Sequence, residues 1–332
     1  MRLLTLGIAT AILVSASEHR EQRPYWDVPA IRSGDKVLWH SPGAVEHLDL
    51  RYGIGGAALQ PRSPFTFLEV DESGSKPKVL VRDAAGRRWS VKFGSEVSPD
   101  VFGSRLAWAL GYYAEPTYYV GEGTIRNAVP AKGLEDYIDA AGRFQRARFQ
   151  LRSKYPVFLA DVGWSWEYNP FLGTHELAGL KILVMLLSNW DDKDIRDAEK
   201  RGSNTAIYRE DGRYVFFVND WGGALGNWGH GPTNLMRHFT HSRWECDDYA
   251  RQSLRFVRMH DGQFRWGYQG SRMKAMMDGL TSDDVRWFMR YLGRLTNAQI
   301  HAGLAASGAT SAEISCYTKA LKLRIGQLAA LA

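Results

Sequence analysis

The chain has 332 residues, of which 45% are hydrophobic, 12% aromatic and 23% charged, a globular composition that excludes disordered, collagen-like and polytopic membrane proteins. An excess of 42 Lys and Arg over 36 Asp and Glu gives a net charge of +6, which favours anionic ligands, while the scatter of the arginines makes nucleic acid an unexpected partner. The only two cysteines, Cys246 and Cys316, cannot build a disulfide scaffold or a four-cysteine zinc site and leave room for a single bridge.

Residues 1–16 (MRLLTLGIATAILVSA) join Arg2, an apolar stretch and the small-residue pattern Val14-Ser15-Ala16, as in a secretory signal peptide. The expectation is an exported protein, periplasmic or secreted and soluble after cleavage, with residues 17–60 as an N-terminal extension. An oxidising compartment would favour the Cys246–Cys316 bridge. No other stretch reaches the roughly 20 continuous apolar residues of a membrane helix.

FTFLEV (65–70), KVLVRD (78–83) and RWSVKF (88–93) read as an antiparallel meander with turns carrying Gly74 and Gly86. Alternation in the third strand places Trp89, Val91 and Phe93 on one face, and Ser90 and Lys92 on the other. A helix is predicted over 99–112, with Val101, Leu106, Trp108 and Leu110 as its apolar surface, and PTYYV (116–120) reads as a further strand. Arg143, Arg146, Arg148, Arg152 and Lys154, interleaved with Phe144 and Phe149, read most simply as a solvated edge between two lobes, and otherwise as a patch meeting an anionic substrate. The aromatic tract 163–171 reads as packing. Residues 174–188 are apolar nearly all round, the pattern of a buried central helix, with Thr174 as its cap.

The polar cluster Asn189-Trp190-Asp191-Asp192-Lys193-Asp194 follows that helix, and TAIYR (205–209) and RYVFFV (213–218) form a hairpin ending at Asn219-Asp220-Trp221-Gly222-Gly223. The tail reads as helical, with one helix after Thr281 and another opened by the capping box Thr310-x-x-Glu313. The predicted class is α+β: a small β-rich lobe over 61–122, then a mainly helical lobe over 123–332.

The order of the polar features points to phosphoryl transfer. A Ser/Gly turn (Ser73, Gly74, Ser75) offers backbone N–H groups to phosphate oxygens, and the strand lysine Lys92 neutralises them. One carboxylate of the cluster after the central helix can orient an attacking hydroxyl, while Asp220, with Asn204 or Asp194, can hold Mg²⁺ beside nucleotide phosphates. His230, His238 and His241 lack a metalloprotease spacing and read as loop or surface residues, and there is no G-x-S-x-G elbow. The tract RYGIGG (51–56) has no preceding strand or following helix, so it fails the dinucleotide-fold context.

On these residues the chain resembles the protein-kinase-like superfamily, most closely its HipA-like and phosphatidylinositol-kinase-like branches. SGSKPKVLV resembles the phosphate loop and second strand of HipA-like kinases, and WSVKF the strand bearing the nucleotide lysine. Asn189-Trp190-Asp191-Asp192-Lys193 resembles the catalytic loop, and Asn219-Asp220-Trp221-Gly222 the metal-binding Asp-Phe-Gly position. The resemblance covers about residues 60–225 and implies a two-lobed kinase-like fold with ATP and Mg²⁺ as cofactors. It implies Asp191 as the catalytic aspartate with Lys193 beside it, Asp220 as a metal ligand, and Glu96 in place of a mid-helix partner for Lys92. The acceptor would be a hydroxyl of a protein, lipid or sugar. Position 196, where the family places a metal-binding asparagine, is Arg, so Asn204 serves only if 195–202 is an insertion. Two alternatives stay open: a catalytically inactive kinase-like binding module and an exported envelope-associated binding protein.

Overall fold

A computed structural model describes residues 23–71, 78–129, 133–154, 156–159, 161–193, 204–229, 240–268 and 273–332. The first described elements are β1 (Arg23–Pro24), α1 (Pro29–Ser33) and β2 (Lys36–Val37). The meander follows as β3 (Phe65–Asp71), β4 (Lys78–Arg82) and β5 (Arg88–Phe93). Helix α2 (Val97–Ala109) comes next, then β6 (Thr117–Arg126) and β7 (Arg143–Arg152). These five longer strands close a barrel in the order β3-β4-β5-β7-β6, sealed by parallel pairing of β3 with β6. Val79, Val81, Trp89, Val91, Phe93 and Phe149 fill its interior, so the apolar face read from β5 is the inner one. The outer face of β5 is also buried, at Ser90 and Lys92.

Strand β7 corrects the sequence reading. The basic segment is a strand inside the barrel, paired with both β5 and β6, and the barrel extends to residue 152, past the boundary placed at 122. Arg146 has φ +57, and this left-handed residue shifts the alternation, so that Phe144 and Ala147, three apart, both join the inner cluster. Arg148 then falls on the outer face under α2, where it is buried.

Beyond the barrel come β8 (Val157–Phe158), β9 (Val162–Gly163), α3 (His175–Leu186), β10 (Thr205–Glu210) and β11 (Arg213–Val218). Every residue of α3 from Leu177 to Leu186 is buried, and Thr174 caps the helix by accepting the Leu177 N–H. The predicted hairpin β10–β11 sits in a four-stranded sheet ordered β2-β11-β10-β8, with β2 of the expected extension paired parallel to β11.

The remainder is α4 (Cys246–Ser253), the hairpin β12 (Val257–His260) and β13 (Gln263–Trp266), α5 (Met273–Met277), α6 (Ser282–Leu292), α7 (Asn297–Ala305) and α8 (Ser311–Ala329). Capping boxes open α6, α7 and α8, the last on Thr310 and Glu313 as predicted. Cys246 and Cys316 form the single disulfide, tying α4 to α8. The wholly buried Arg324 of α8 donates to the Met185 and Leu186 carbonyls and to Ser188 Oγ, a cation at the negative end of the α3 dipole. The tryptophans of the aromatic tract, Trp164 and Trp166, are buried in the main core. Among the described residues no helix is long and apolar enough to cross a membrane. The expected signal peptide lies outside the described residues.

Candidate functional site

Pairing of β4, β5 and β7 sets Lys78, Lys92 and Arg148 abreast on the outer face of the barrel. Three cations in one rung repel one another, and four carboxylates from outside these three strands offset this. Lys92 Nζ lies 2.6 Å from Glu96 Oε2 and 3.1 Å from Asp220 Oδ2. Arg148 donates to Asp100 Oδ2 at 2.7 Å, both side chains being buried. Lys78 lies 3.8 Å from Asp71, and burial holds its ammonium below the usual lysine range despite that carboxylate. Burial alone would also lower Lys92, but the carboxylates of Asp220, Asp100 and Glu96 prevail and hold it well above its ordinary value. Lys92 is therefore a permanent cation.

Asp220 follows the end of β11 and its side chain is 32% exposed, so its carboxylate is partly open to solvent. Desolvation alone would raise it; Lys92, the Gly222 N–H and Arg148 outweigh that and hold it below the usual carboxylate range. Asp220 Oδ1 accepts from Gly222 N at 2.8 Å. The next residue is anchored separately, because Trp221 N donates to Asp100 Oδ1 at 3.1 Å. Asp100, in the first turn of α2, therefore ties β7 to the loop after β11. Its burial raises its pKa against the opposing pull of Arg148. Gly103 of α2 permits this approach, since a Cβ there would stand 2.5 Å from Trp221 Cβ.

Asp191–Lys193 form a single short turn after α3. Asn189 joins this turn to the Asp220 loop, its Nδ2 donating to Asp192 Oδ2 at 2.8 Å and to the Asp220 carbonyl at 3.0 Å. Trp166 Nε1 donates to the Asp192 carbonyl at 2.9 Å, and Tyr268 Oη donates to the Asn189 carbonyl. The loop and the turn lie so close that a Cβ on Gly223 would stand 3.0 Å from Asp191 Cβ. The buried Asn204 stands just before β10, its carbonyl accepting from Asn219 N at 2.9 Å, which brings it beside Asp220.

The structure thus brings together Lys92, Glu96, Asp191, Asn204 and Asp220, and Lys193 closes the same turn as Asp191. Ser73, Gly74, Ser75 and Asp194 lie outside the described residues. Sequence reasoning missed Asp100 and Arg243, and read Arg148 most simply as part of a solvated edge although it is buried. Arg243 pairs with Glu96 and lies 4.9 Å from the Trp190 ring, whose other close partner is the His241 ring at 3.7 Å. The available signal for Arg148 was Phe149 and Leu151 flanking Gln150, a two-residue alternation that a left-handed Arg146 interrupts.

For a cation the oxygens at the Asp220 end are hard donors: the Asp220 carboxylate and the buried Asn219 Oδ1, which has no hydrogen-bond partner among the described residues, with Asn204 held next to Asn219 through its backbone carbonyl. Among the described residues no group of three His, Cys, Asp or Glu is placed to hold a metal ion. This set fits Mg²⁺, which takes one or two carboxylates and completes its shell with phosphate and water. No protein-family model matches the chain, and no curated protein matches its sequence.

Proposed function

We propose that the protein is an exported, ATP- and Mg²⁺-dependent phosphotransferase on a two-lobed kinase-like fold, the barrel and α2 forming the smaller lobe. The observation that carries this reading is Lys92 held between Glu96 and Asp220 while Asn189 links the Asp220 carbonyl to the turn bearing Asp191. One cation, one partly exposed carboxylate and a second carboxylate on the neighbouring turn are the parts that phosphoryl transfer uses. Lys92, with Lys78 and Arg148 beside it, would neutralise nucleotide phosphates; Glu96 orients the Lys92 ammonium; Asp220 and Asn204 would hold Mg²⁺; Asp191 would position the acceptor hydroxyl. Bound Mg²⁺ would neutralise charge on the transferring phosphoryl group. The contribution of the protein is then positioning and fixed charge.

The test is a thermal-shift titration of the mature chain from Ser17 with ATP and Mg²⁺, beside Asp220→Ala. At 100 times its Kd a ligand selective for the folded state adds about 2.7 kcal/mol, or ~4 °C in Tm for a chain of this size. A Mg²⁺-dependent shift lost in Asp220→Ala is the expected result. No shift with any nucleotide or divalent ion would sink this reading. Arg196, five residues after Asp191, favours a second reading, a kinase-like module that binds nucleotide without transferring phosphate. A shift with no phosphate transfer from radiolabelled ATP would select it.

A further inference from the structure

Three successive residues grip the indole of Trp190. The His241 ring centroid lies 3.7 Å from that of Trp190, the Ser242 carbonyl accepts from Trp190 Nε1 at 3.1 Å, and the Arg243 guanidinium carbon lies over the ring, 4.9 Å from its centroid. This segment is held in turn against the continuation of the Asp220 loop. Ser242 N donates to the Asn227 carbonyl at 3.0 Å, Trp244 N to the Ala224 carbonyl at 3.1 Å and Glu245 N to the Leu225 carbonyl at 2.9 Å. Trp190 itself stands between Asp191 and Asn189, the residue that bonds the Asp220 carbonyl.

Arg243 also reaches the other end of the site. Its Nη1 donates to Glu96 Oε1, while Glu96 Oε2 lies 2.6 Å from Lys92 Nζ. Glu96 thus gives one oxygen to each cation, and all three side chains are mostly buried. Neutralising Lys92 does not call for a second cation on Glu96, and packing Trp190 does not call for a charge. A guanidinium meets both needs at once, because its N–H edge fits a carboxylate and its flat face fits an aromatic ring. A lysine ammonium is a point charge on a flexible stem and lacks that face.

We propose that Arg243 is a positioning residue: with its edge on Glu96 and its face on Trp190, it fixes the Lys92 ammonium relative to the turn that carries Asp191. The proposal deepens the phosphotransferase reading and rests on it for what the two ends do, Lys92 holding phosphates and Asp191 the acceptor hydroxyl. Loosening Arg243 then misplaces one end against the other, and a displacement of about 1 Å can cost ~100-fold in rate.

Two measurements test it. The first needs no nucleotide: hydrogen–deuterium exchange of the ligand-free mature chain, read on the amides of residues 189–193 in the parent, Glu96→Gln, Arg243→Met and the double variant. Glu96→Gln alters no residue of that turn, yet it should speed exchange there at least about threefold. Arg243→Met should do the same, and the double variant should be no faster than Arg243→Met. Exchange in α8 should not move, which separates a loosened turn from a loosened fold. Turn amides that exchange at the parent rate in Glu96→Gln would overturn the proposal, whatever the site binds.

The second measurement sets ATP·Mg²⁺ affinity, by isothermal titration calorimetry, beside phosphate release from ATP with water as acceptor, in the parent and Arg243→Lys. Lysine keeps a cation for Glu96 and loses the face on Trp190, so Kd should stay within about threefold while turnover falls at least about tenfold. Equal losses in affinity and rate, or no loss in either, would overturn the proposal. A parent that binds no ATP, or binds it without turnover, strikes the phosphotransferase reading, and the exchange result alone then decides whether Arg243 joins the two ends.

Discussion

The Asp100–Arg148 pair joins the barrel to the loop after β11, and its removal has a size that can be worked out. Both side chains are buried and their charged atoms are 2.7 Å apart. Placing the charge centres about 4 Å apart, an effective dielectric constant of about 20 gives ~4 kcal/mol of attraction. Either single change strands the other charge in a buried site, and such breaks cost about 3–5 kcal/mol. Asp100→Asn keeps an oxygen for the Trp221 N–H, so its loss reports the charge and not that hydrogen bond. Arg148→Met leaves Asp100 with Trp221 N and without its cation. The double variant strands neither charge and should be no worse than the milder single variant. Urea unfolding of the four proteins should therefore give singles about 3–4 kcal/mol less stable than the parent, and a coupling energy of about 3 kcal/mol. In a thermal scan each single should lose about 4–6 °C. If the two losses simply add, or if Asp100→Asn costs under about 1 kcal/mol, the two buried charges are not coupled at that strength.

Three other outcomes are expected. Asp220 has a folded-state pKa below its unfolded value, so its stabilisation is complete above the unfolded aspartate pKa of about 3.9 and is lost as pH falls through the lower folded value; the stability gap between parent and Asp220→Asn, measured by urea unfolding at several pH values, should therefore narrow below about pH 4 and stay constant between about pH 5 and 7. Gly103→Ala gains about 1 kcal/mol of helix propensity but forces a Cβ to 2.5 Å from Trp221 Cβ, and overpacking costs about 1–3 kcal/mol, so a lower Tm and weaker ATP·Mg²⁺ binding are expected; an unchanged affinity would show that Trp221 does not position Asp220. Cys246–Cys316 closes a separation of 70 residues, for which loop entropy gives about 4 kcal/mol; the double serine variant and the dithiothreitol-treated parent should lose the same increment of Tm, and a Tm indifferent to both would refute the estimate.

The elements visible in the sequence were those whose partners are local. The meander β3–β5 shows two-residue alternation and glycine turns, α3 shows a continuous apolar run behind a threonine cap, and the tail helices carry capping boxes. Each of these signals lies within one element. Strand β7 was read as a solvated edge because four arginines dominate its composition and Arg146 breaks its period, whereas what buries Arg148 is Asp100, 48 residues away. Nothing in a window around either residue announces the other. The same holds for Arg243 and Glu96, which are 147 residues apart.

At the candidate site this difference has a chemical consequence. Lys92, Asp191 and Asp220 stand out in the sequence because each polar residue borders an apolar run, the place where a buried element meets a cleft. Their partners carry no such mark, since their task is to match a charge arriving from elsewhere in the chain. Yet those partners decide whether the marked residues are usable: Glu96 orients the Lys92 ammonium, and Asp100 holds Trp221, next to Asp220, through its backbone N–H. Burial favours the neutral form of Asp100 against the pull of Arg148, and the Arg148 guanidinium, 2.7 Å from Oδ2, anchors the carboxyl group whose other oxygen accepts from Trp221 N. A strand read from sequence as a solvated edge thus supplies the guanidinium that anchors Asp100, and through it the loop bearing Asp220.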